Sequence, residues 1–434
     1  MKIISQTLKK SFFVVMFGVV STSIVAQQSS DTLSLTLEDA QVYAVQHNQM
    51  MKNATLDEKI AEAERWQTIA TMLPQAKADY AYTNFLGHEL DMMGMKIPMD
   101  PTGAFTAQAS IALSGQQIVG AMLGTDGMRL AEINAKKTAK DIKANVTKTY
   151  MQILLTEVTL NLLNDNKKNI ETLYESTVEA VRVGVSEETD ADQLLVQVAS
   201  MQNVINQTER GLELLRNSLK VILGVPFDQP IALKNTLDDL VNAEKQLELL
   251  NEPFDIRRNH DYQLLEKQTE LTKKQIRLAE WEYGPQLAAF YQYYNQQTFG
   301  DEGFNMTPPH SVGVSVSMPI FSSGQRFNKV RAAKTEYEKM LNTKQQTTEQ
   351  LMIQNSQLRF NLNSAYENFK VQQKNWEVVE RVFKSTSQKF KYGTASALDL
   401  TQANTNLINA QTNYVSALTE LVNAHVELQL LLNK

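Results

Sequence analysis

Apolar residues recur at Ile142, Val146, Ile153, Leu160, Leu163 and Ile170, spaced by 3, 4 or 7 positions as in the seam of a coiled-coil helix. A second stripe, Met151, Leu155, Val158 and Leu162, runs beside it. A helix with two apolar stripes needs a neighbour on each side, so the pattern predicts a curved sheet of helices rather than an isolated pair. Residues 128–183 and 325–392 contain neither Gly nor Pro. At about 1.5 Å per residue, each predicts a helix of roughly 85 to 100 Å.

Elsewhere the period falls to two. From Thr36 the run TLEDAQVYAVQHN predicts a helix reaching Leu73, with Thr36 as N-cap and Asp39 three positions on. Pro74 cannot continue its hydrogen-bond ladder. Beyond it Ala76, Ala78, Tyr80 and Tyr82 share one face, with Lys77, Asp79 and Ala81 between them. Returning strands are expected at Phe105–Leu113 and Ser311–Ile320, the latter alternating Val312, Val314 and Val316 with Gly313, Ser315 and Ser317. Strands of about 9 to 11 residues can cross a bilayer; a half-buried sheet in a soluble domain alternates in the same way.

The whole pattern occurs twice. Asn48, Pro74, Gln75, Tyr80 and Tyr82 recur as Asn259, Pro285, Gln286, Tyr291 and Tyr293, each 211 positions later. Gly115, Gly184, Asp190 and Gln193 recur as Gly324, Gly393, Asp399 and Gln402, each 209 later. The chain is therefore two copies of one supersecondary unit, neither closing a core alone. Repeat 1 spans residues 27–224: a polar lead-in to 36, a helix, a strand hairpin at about 76–114, and a long helical hairpin at about 116–223 with its tip at 182–193. A linker with an acidic helical stretch occupies 225–250. Repeat 2 spans 251–434, with a helix from about Pro253, a strand hairpin at about 286–320, and a helical hairpin at about 325–432 whose tip is 391–402. At the tips, RVGVSEETDADQLL and KYGTASALDLTQAN place Gly184 and Gly393 to cap the incoming helices in a left-handed conformation. Thr189 and Asp190, or Ser396 and Asp399, are the expected caps of the outgoing ones.

Composition narrows the setting. Only 17 glycines and 10 prolines interrupt 434 residues. Lys2, Lys9 and Lys10 precede the apolar run Phe12–Val20 and a small, polar stretch ending at Ala26, the order of a secretory signal over residues 1–26. Its removal takes three positive charges from a chain already at −6. An acidic exported chain is a poor nucleic-acid binder. No later run is apolar enough for a spanning helix. With no cysteine, packing alone must hold the fold.

Chemistry-bearing motifs are absent. The five histidines form no HExxH pair, and no phosphate loop or GxSxG elbow occurs, so no enzyme activity and no cofactor are expected. His47 and His260 read as surface helix residues. His88, Met92, Met93, Met95 and Met99 crowd HELDMMGMKIPMD; soft thioethers with a histidine suit monovalent copper, but the plainer expectation is a flexible apolar external loop without metal.

In this order, and in duplicate, the elements resemble the TolC-like outer membrane efflux proteins over nearly all of the mature chain. VGVSEETDADQ is similar to that family's first periplasmic tip and YGTASALDLTQA to its second; the proline-led strands, and SGQQ and SSGQR before the long helices, agree. The resemblance implies a mainly α fold with a small transmembrane β part: a two-repeat α-helical barrel protomer giving four strands to a shared 12-stranded β-barrel in a homotrimer. It implies a passive exit duct in the outer membrane, extending into the periplasm. An inner-membrane pump, an RND or ABC-type transporter, would drive it through a periplasmic adaptor (membrane fusion protein). Elementary physics agrees on closure, since four strands leave an edge whose backbone groups would lack partners in lipid.

By the same resemblance the tips are the gate. Asp190 and Asp399 fall on acidic tip positions, where threefold symmetry would make rings of carboxylates favouring cations; capping alone would also account for them. Phe390 matches an aromatic tip position. Gln402 stands where the family pattern has a second acid and Ala395 where it has an arginine, so an arginine latch is not expected and closure would rest on Gln402 hydrogen bonds and packing. Gly184, Val185, Ser186, Glu187, Glu188 and Thr189, with Gly393, Thr394, Ala395, Ser396 and Ala397, would form the adaptor-docking surface. The alternative is a periplasmic adaptor or coiled-coil scaffold without a barrel, although such adaptors carry one hairpin in a β-rich domain.

Overall fold

The computed structural model describes residues 32–92, 94–240, 247–300 and 307–433. The expected signal segment and Met93 lie outside these residues. The elements are β1 (Leu33–Leu35), α1 (Leu37–His47), α2 (Gln49–Ala70), β2 (Gln75–Thr83), β3 (Glu89–Met92), β4 (Met95–Pro98), β5 (Thr102–Ser114), α3 (Gly115–Arg182) and α4 (Glu188–Leu223). They continue with β6 (Ile231–Leu233), α5 (Leu237–Leu240), α6 (His260–Glu280), β7 (Gln286–Thr298), β8 (His310–Ser317), α7 (Gln325–Lys391) and α8 (Ala397–Leu431).

The two long helices set the scale. α3 has 68 residues and α7 has 67, each about 100 Å at 1.5 Å per residue. Both stripes on α3 are used. Ile142, Val146 and Ile153 pack with α1 and the end of α4, whereas Leu155 packs with Leu362, Leu418 and Leu421 of α7 and α8. Near the sheet the helices lie in the order α2, α3, α6, α7; at the far end the order is α4, α3, α8, α7. α3 and α7 thus run the full length, while the columns beside them are each two helices stacked end to end.

Asparagines make the splices. Asn48 caps α2, its Oδ1 accepting from Met50 N at 2.7 Å, and its Nδ2 donates to Ile222 O in the last turn of α4 at 2.7 Å. Asn259, its repeat counterpart, caps α6 by accepting from Asp261 N and Tyr262 N and donates to Leu431 O of α8 at 3.2 Å. A buried side-chain amide thus satisfies orphan groups of two helix ends at once. The expected single helix from Thr36 to Leu73 is accordingly two helices, broken at Asn48, whose extended backbone (ψ 137°) interrupts the ladder. At its start Thr36 and Asp39 form the anticipated reciprocal cap.

A belt surrounds the splices. Leu33–Leu35, within the expected polar lead-in, pairs in parallel with β6 of the linker. Tyr150, fully buried, donates its hydroxyl to Leu35 O at 3.1 Å. Arg359 of α7 donates to the carbonyls of Leu250 and Glu252, fastening the linker's far end. The stretch expected to be helical from 237 to 250 holds only α5 and a short 3-10 turn, Leu247–Asn251, among the described residues. No helix among the described residues is long and apolar enough to cross a membrane.

Candidate functional site

The sheet end is built by register. β2, β5, β7 and β8 form one antiparallel sheet in that order, leaving β2 and β8 as open edges. Residues paired across neighbouring strands share a face. One face therefore collects Ala78 and Tyr80, Ala107 and Phe105, Tyr291 and Tyr293, and Val312, Val314 and Val316. The other collects Lys77, Asp79, Thr106, Gln108, Gln292, Ser311 and Ser315, with Phe290 lying over Gly313. Val312, Val314 and Val316 are 81%, 70% and 69% exposed. β5 and β7 have 13 residues each, enough at about 3.3 Å per residue to cross a bilayer obliquely. The sheet has one apolar and one polar surface, both open.

Beyond it the expected external loop is a second hairpin: β3 and β4 pair, with Met99 N donating to His88 O at its base. The segment expected as a loop thus contains regular antiparallel pairing. Among the described residues no group of three or more His, Cys, Asp or Glu is arranged to hold a metal.

The opposite end carries the tips. α3 and α7 close alike. Gly184 (φ 76°) and Gly393 (φ 69°) adopt the left-handed conformation. Val185 N bonds to Ala180 O and Gly184 N to Val181 O; Thr394 N bonds to Lys389 O and Gly393 N to Phe390 O. Two bonds of this kind satisfy the last carbonyls of each helix.

The outgoing helices start differently. Ser396 caps α8: its hydroxyl accepts from Asp399 N at 3.1 Å and the Asp399 carboxylate accepts from Ser396 N at 3.0 Å. These bonds to the Ser396 backbone and hydroxyl hold the Asp399 carboxyl below the usual carboxylate range. At the first tip the cap is Glu187, without a side-chain capping bond, not Thr189 or Asp190. Thr189 donates its hydroxyl to the Glu187 carboxylate, and Asp190 contributes its backbone N–H to Glu187 O. Glu187 and Ser396 are repeat counterparts, so one residue type decides whether the acid three positions on is engaged. Sequence reading missed this because Glu is a rare cap.

The remaining expected site residues are spread over the tips. Val185 is 78% exposed, and Gly184, Glu187, Glu188, Thr189, Gly393, Thr394 and Ser396 are exposed as well. Ala397 is buried; Ser186, Asp190 and Ala395 are half-buried. Phe390 packs against the apolar cluster of Leu194, Phe383 and Leu400 beneath the tips. Gln402 is exposed and donates to Asn406 of its own helix at 3.0 Å. Just above, a polar seam absent from the sequence reading joins the hairpins. Gln197 Nε2 donates to Thr401 O, fully buried Asn404 lies a turn further on, and Asn166 Nδ2 donates to Gln411 Oε1 at 2.6 Å.

Residues 256–434 match the family model described as Outer membrane efflux protein. The fold is similar to that of solved outer-membrane channels. CusC has a TM-score of 0.76 at 15% identity, with 91% of each chain covered. VceC of Vibrio cholerae has 0.73 at 15%, covering 91% of this chain and 95% of that one. MtrE of Neisseria gonorrhoeae, in its open state, has 0.72 at 15%, covering 91% and 88%. Comparison with curated protein sequences gives no match.

Proposed function

We propose, from an outer membrane efflux protein domain over residues 256–434 and a first half built on the same repeat, that this chain is one protomer of an outer-membrane exit duct. The sheet inserts in the outer membrane with Val312, Val314, Tyr291 and Tyr80 toward lipid, and with Lys77, Asp79 and Gln292 toward a water-filled lumen. The helices continue the lumen into the periplasm. The observation that carries this reading is the two-faced sheet with unpaired edges β2 and β8, because backbone groups at such edges find partners in lipid only through further strands. Three copies giving twelve strands close the ring. Between copies, exposed Leu56, Ile60 and Trp66 on edge helix α2 would meet exposed Phe327, Leu341 and Ile353 on edge helix α7.

The tips are the proposed gate and docking surface. Asp190 and Asp399 sit at equivalent positions in the first turns of α4 and α8, about 100 Å from the sheet along α3 and α7, and threefold symmetry would make each a carboxylate ring. A periplasmic adaptor engages the exposed tip loops, and an inner-membrane pump supplies the energy. The chain itself performs no chemistry in this scheme.

The test is the native mass and solubility of the mature chain extracted from envelopes with and without detergent. A detergent-requiring species of about three chains supports the duct. A monomer released without detergent overturns it in favour of a periplasmic scaffold.

A further inference from the structure

α3 carries five lysines between residues 136 and 148, and they divide cleanly by partner. Lys136 pairs with Glu132 at 2.7 Å, Lys137 with Asp141 and Asp261, and Lys148 with Glu427 at 2.8 Å. Lys140 and Lys143 pair with no carboxylate among the described residues. Lys140 donates instead to the neutral side chain of Asn433 at 2.5 Å. Both line a cavity of about 470 Å³ between α1, α3, α8 and the N-terminus of α6.

The lining of that cavity has one electrostatic sign. Its charged side chains are Lys136, Lys140 and Lys143, one turn apart on a single face of α3, and His260 enters from the first position of α6. Among its neutral polar groups, Gln41 donates to Thr147 and Thr147 to Lys143 O, which leaves the second amide hydrogen of Gln41 and the amide of Gln429 as donors. Among the described residues no carboxylate lines it. Asp141, Asp261 and Glu427 face a smaller neighbouring cavity that shares Lys140 and His260, and all three are taken by Lys137 and Lys148. Burial, together with the positive charges of Arg258 and Lys143, depresses Lys140 to about 8 despite the opposing pull of Asp141. The crowded cations oppose one another, and an anion among them would relieve that cost.

We propose that this cavity binds a small soluble oxyanion of the phosphate class, either inorganic phosphate or the phosphate group of a small monoester, held by Lys140 and Lys143. A hydrated ammonium acts as a point charge toward phosphate and does not require the planar fork of arginine. The volume lies within the range of small-molecule sites and leaves room for an organic group beside the phosphate. A lipid headgroup is the wrong source, because Lys140 lies about 40 Å along α3 from the sheet at 1.5 Å per residue.

The experiment uses the full mature chain in detergent, titrated with inorganic phosphate and, separately, with glycerol 3-phosphate, at ionic strength matched by chloride. Binding is read by calorimetry. Saturable binding of either probe is expected, weakened at least tenfold in Lys140→Gln/Lys143→Gln and unchanged in Lys148→Gln. Tighter binding of the ester assigns the rest of the cavity to an organic group. No saturable binding of either, or undiminished binding by a double variant of unchanged melting temperature, overturns the site. Should the double variant misfold, acylation of the parent chain decides. Phosphate should slow modification of Lys140 by an amine-reactive reagent at pH 8, since a bound anion raises its pKa; an unchanged rate also overturns the proposal.

Discussion

Asn48 donates its side-chain amide to Ile222 O at 2.7 Å while the same side chain caps α2, so one residue holds α4 and α2 end to end. Asn259 repeats the arrangement with Leu431. Asn48→Ala removes a cap and strands a carbonyl next to a buried position, which should lower stability by about 2 kcal/mol. Asn48→Asp keeps the acceptor but cannot donate to Ile222 O, so it should rescue only part of that loss. Thermal denaturation of both variants checks this; equal stability of Asn48→Asp and the parent would remove the splice argument.

The unequal tips suggest an exchange. Glu187→Ser supplies at the first tip the hydroxyl that Ser396 supplies at the second, and Asp190 is already in the reciprocal position. The start of α4 should gain about 1 kcal/mol, the usual worth of a serine cap. Slower amide hydrogen exchange at residues 188–191 would register it. Faster exchange would mean that the Thr189–Glu187 contact matters more than the cap.

Acid should loosen the second tip before the first. The Asp399 pKa is lowered in the folded chain. Its contribution is therefore complete above the ordinary aspartate value of about 3.9 and is lost as pH falls through the lowered value of the folded chain. Exchange at residues 396–400 should rise through that window in the parent chain and show no such step in Asp399→Asn. A step that persists in the variant would assign the acid response elsewhere.

The proposed gate predicts that Asp399→Ala lowers cation preference in planar bilayer recordings. A ring of carboxylates at a constriction favours cations, and its removal takes that field away. Unchanged selectivity would leave Asp399 as a cap only.

The two faces of the sheet can be distinguished by charge. Val314→Lys places an ammonium on the face assigned to lipid and should cost about 2 to 4 kcal/mol if it lies near the bilayer midplane. Ser315→Lys, one residue on, should be tolerated. Folding yields in lipid vesicles would separate them, and the reverse order would mean that the sheet is turned the other way.

Legibility followed range. The cap at Thr36, the left-handed closures at Gly184 and Gly393, the two stripes of α3 and the alternation through Val312–Val316 are written in residues within a few positions of one another. Sterics, hydrogen bonding and periodicity act at that distance, so neighbouring residues suffice to set them, and the doubling of the unit is equally plain along the chain. Other features depended on partners remote in sequence. Asn48 looks like an ordinary polar helix residue until Ile222 O, 174 positions away, lies against it. The strand at Leu33–Leu35 exists only because β6 lies alongside. Lys140 and Lys143 are indistinguishable from Lys137 and Lys148 along the chain, and only the packing of α6 and α8 on α3 decides which cations meet carboxylates. Sequence sets which local structures are cheap; the tertiary fold chooses which charges and carbonyls face one another, because that choice is made by burial between segments that the chain order keeps apart.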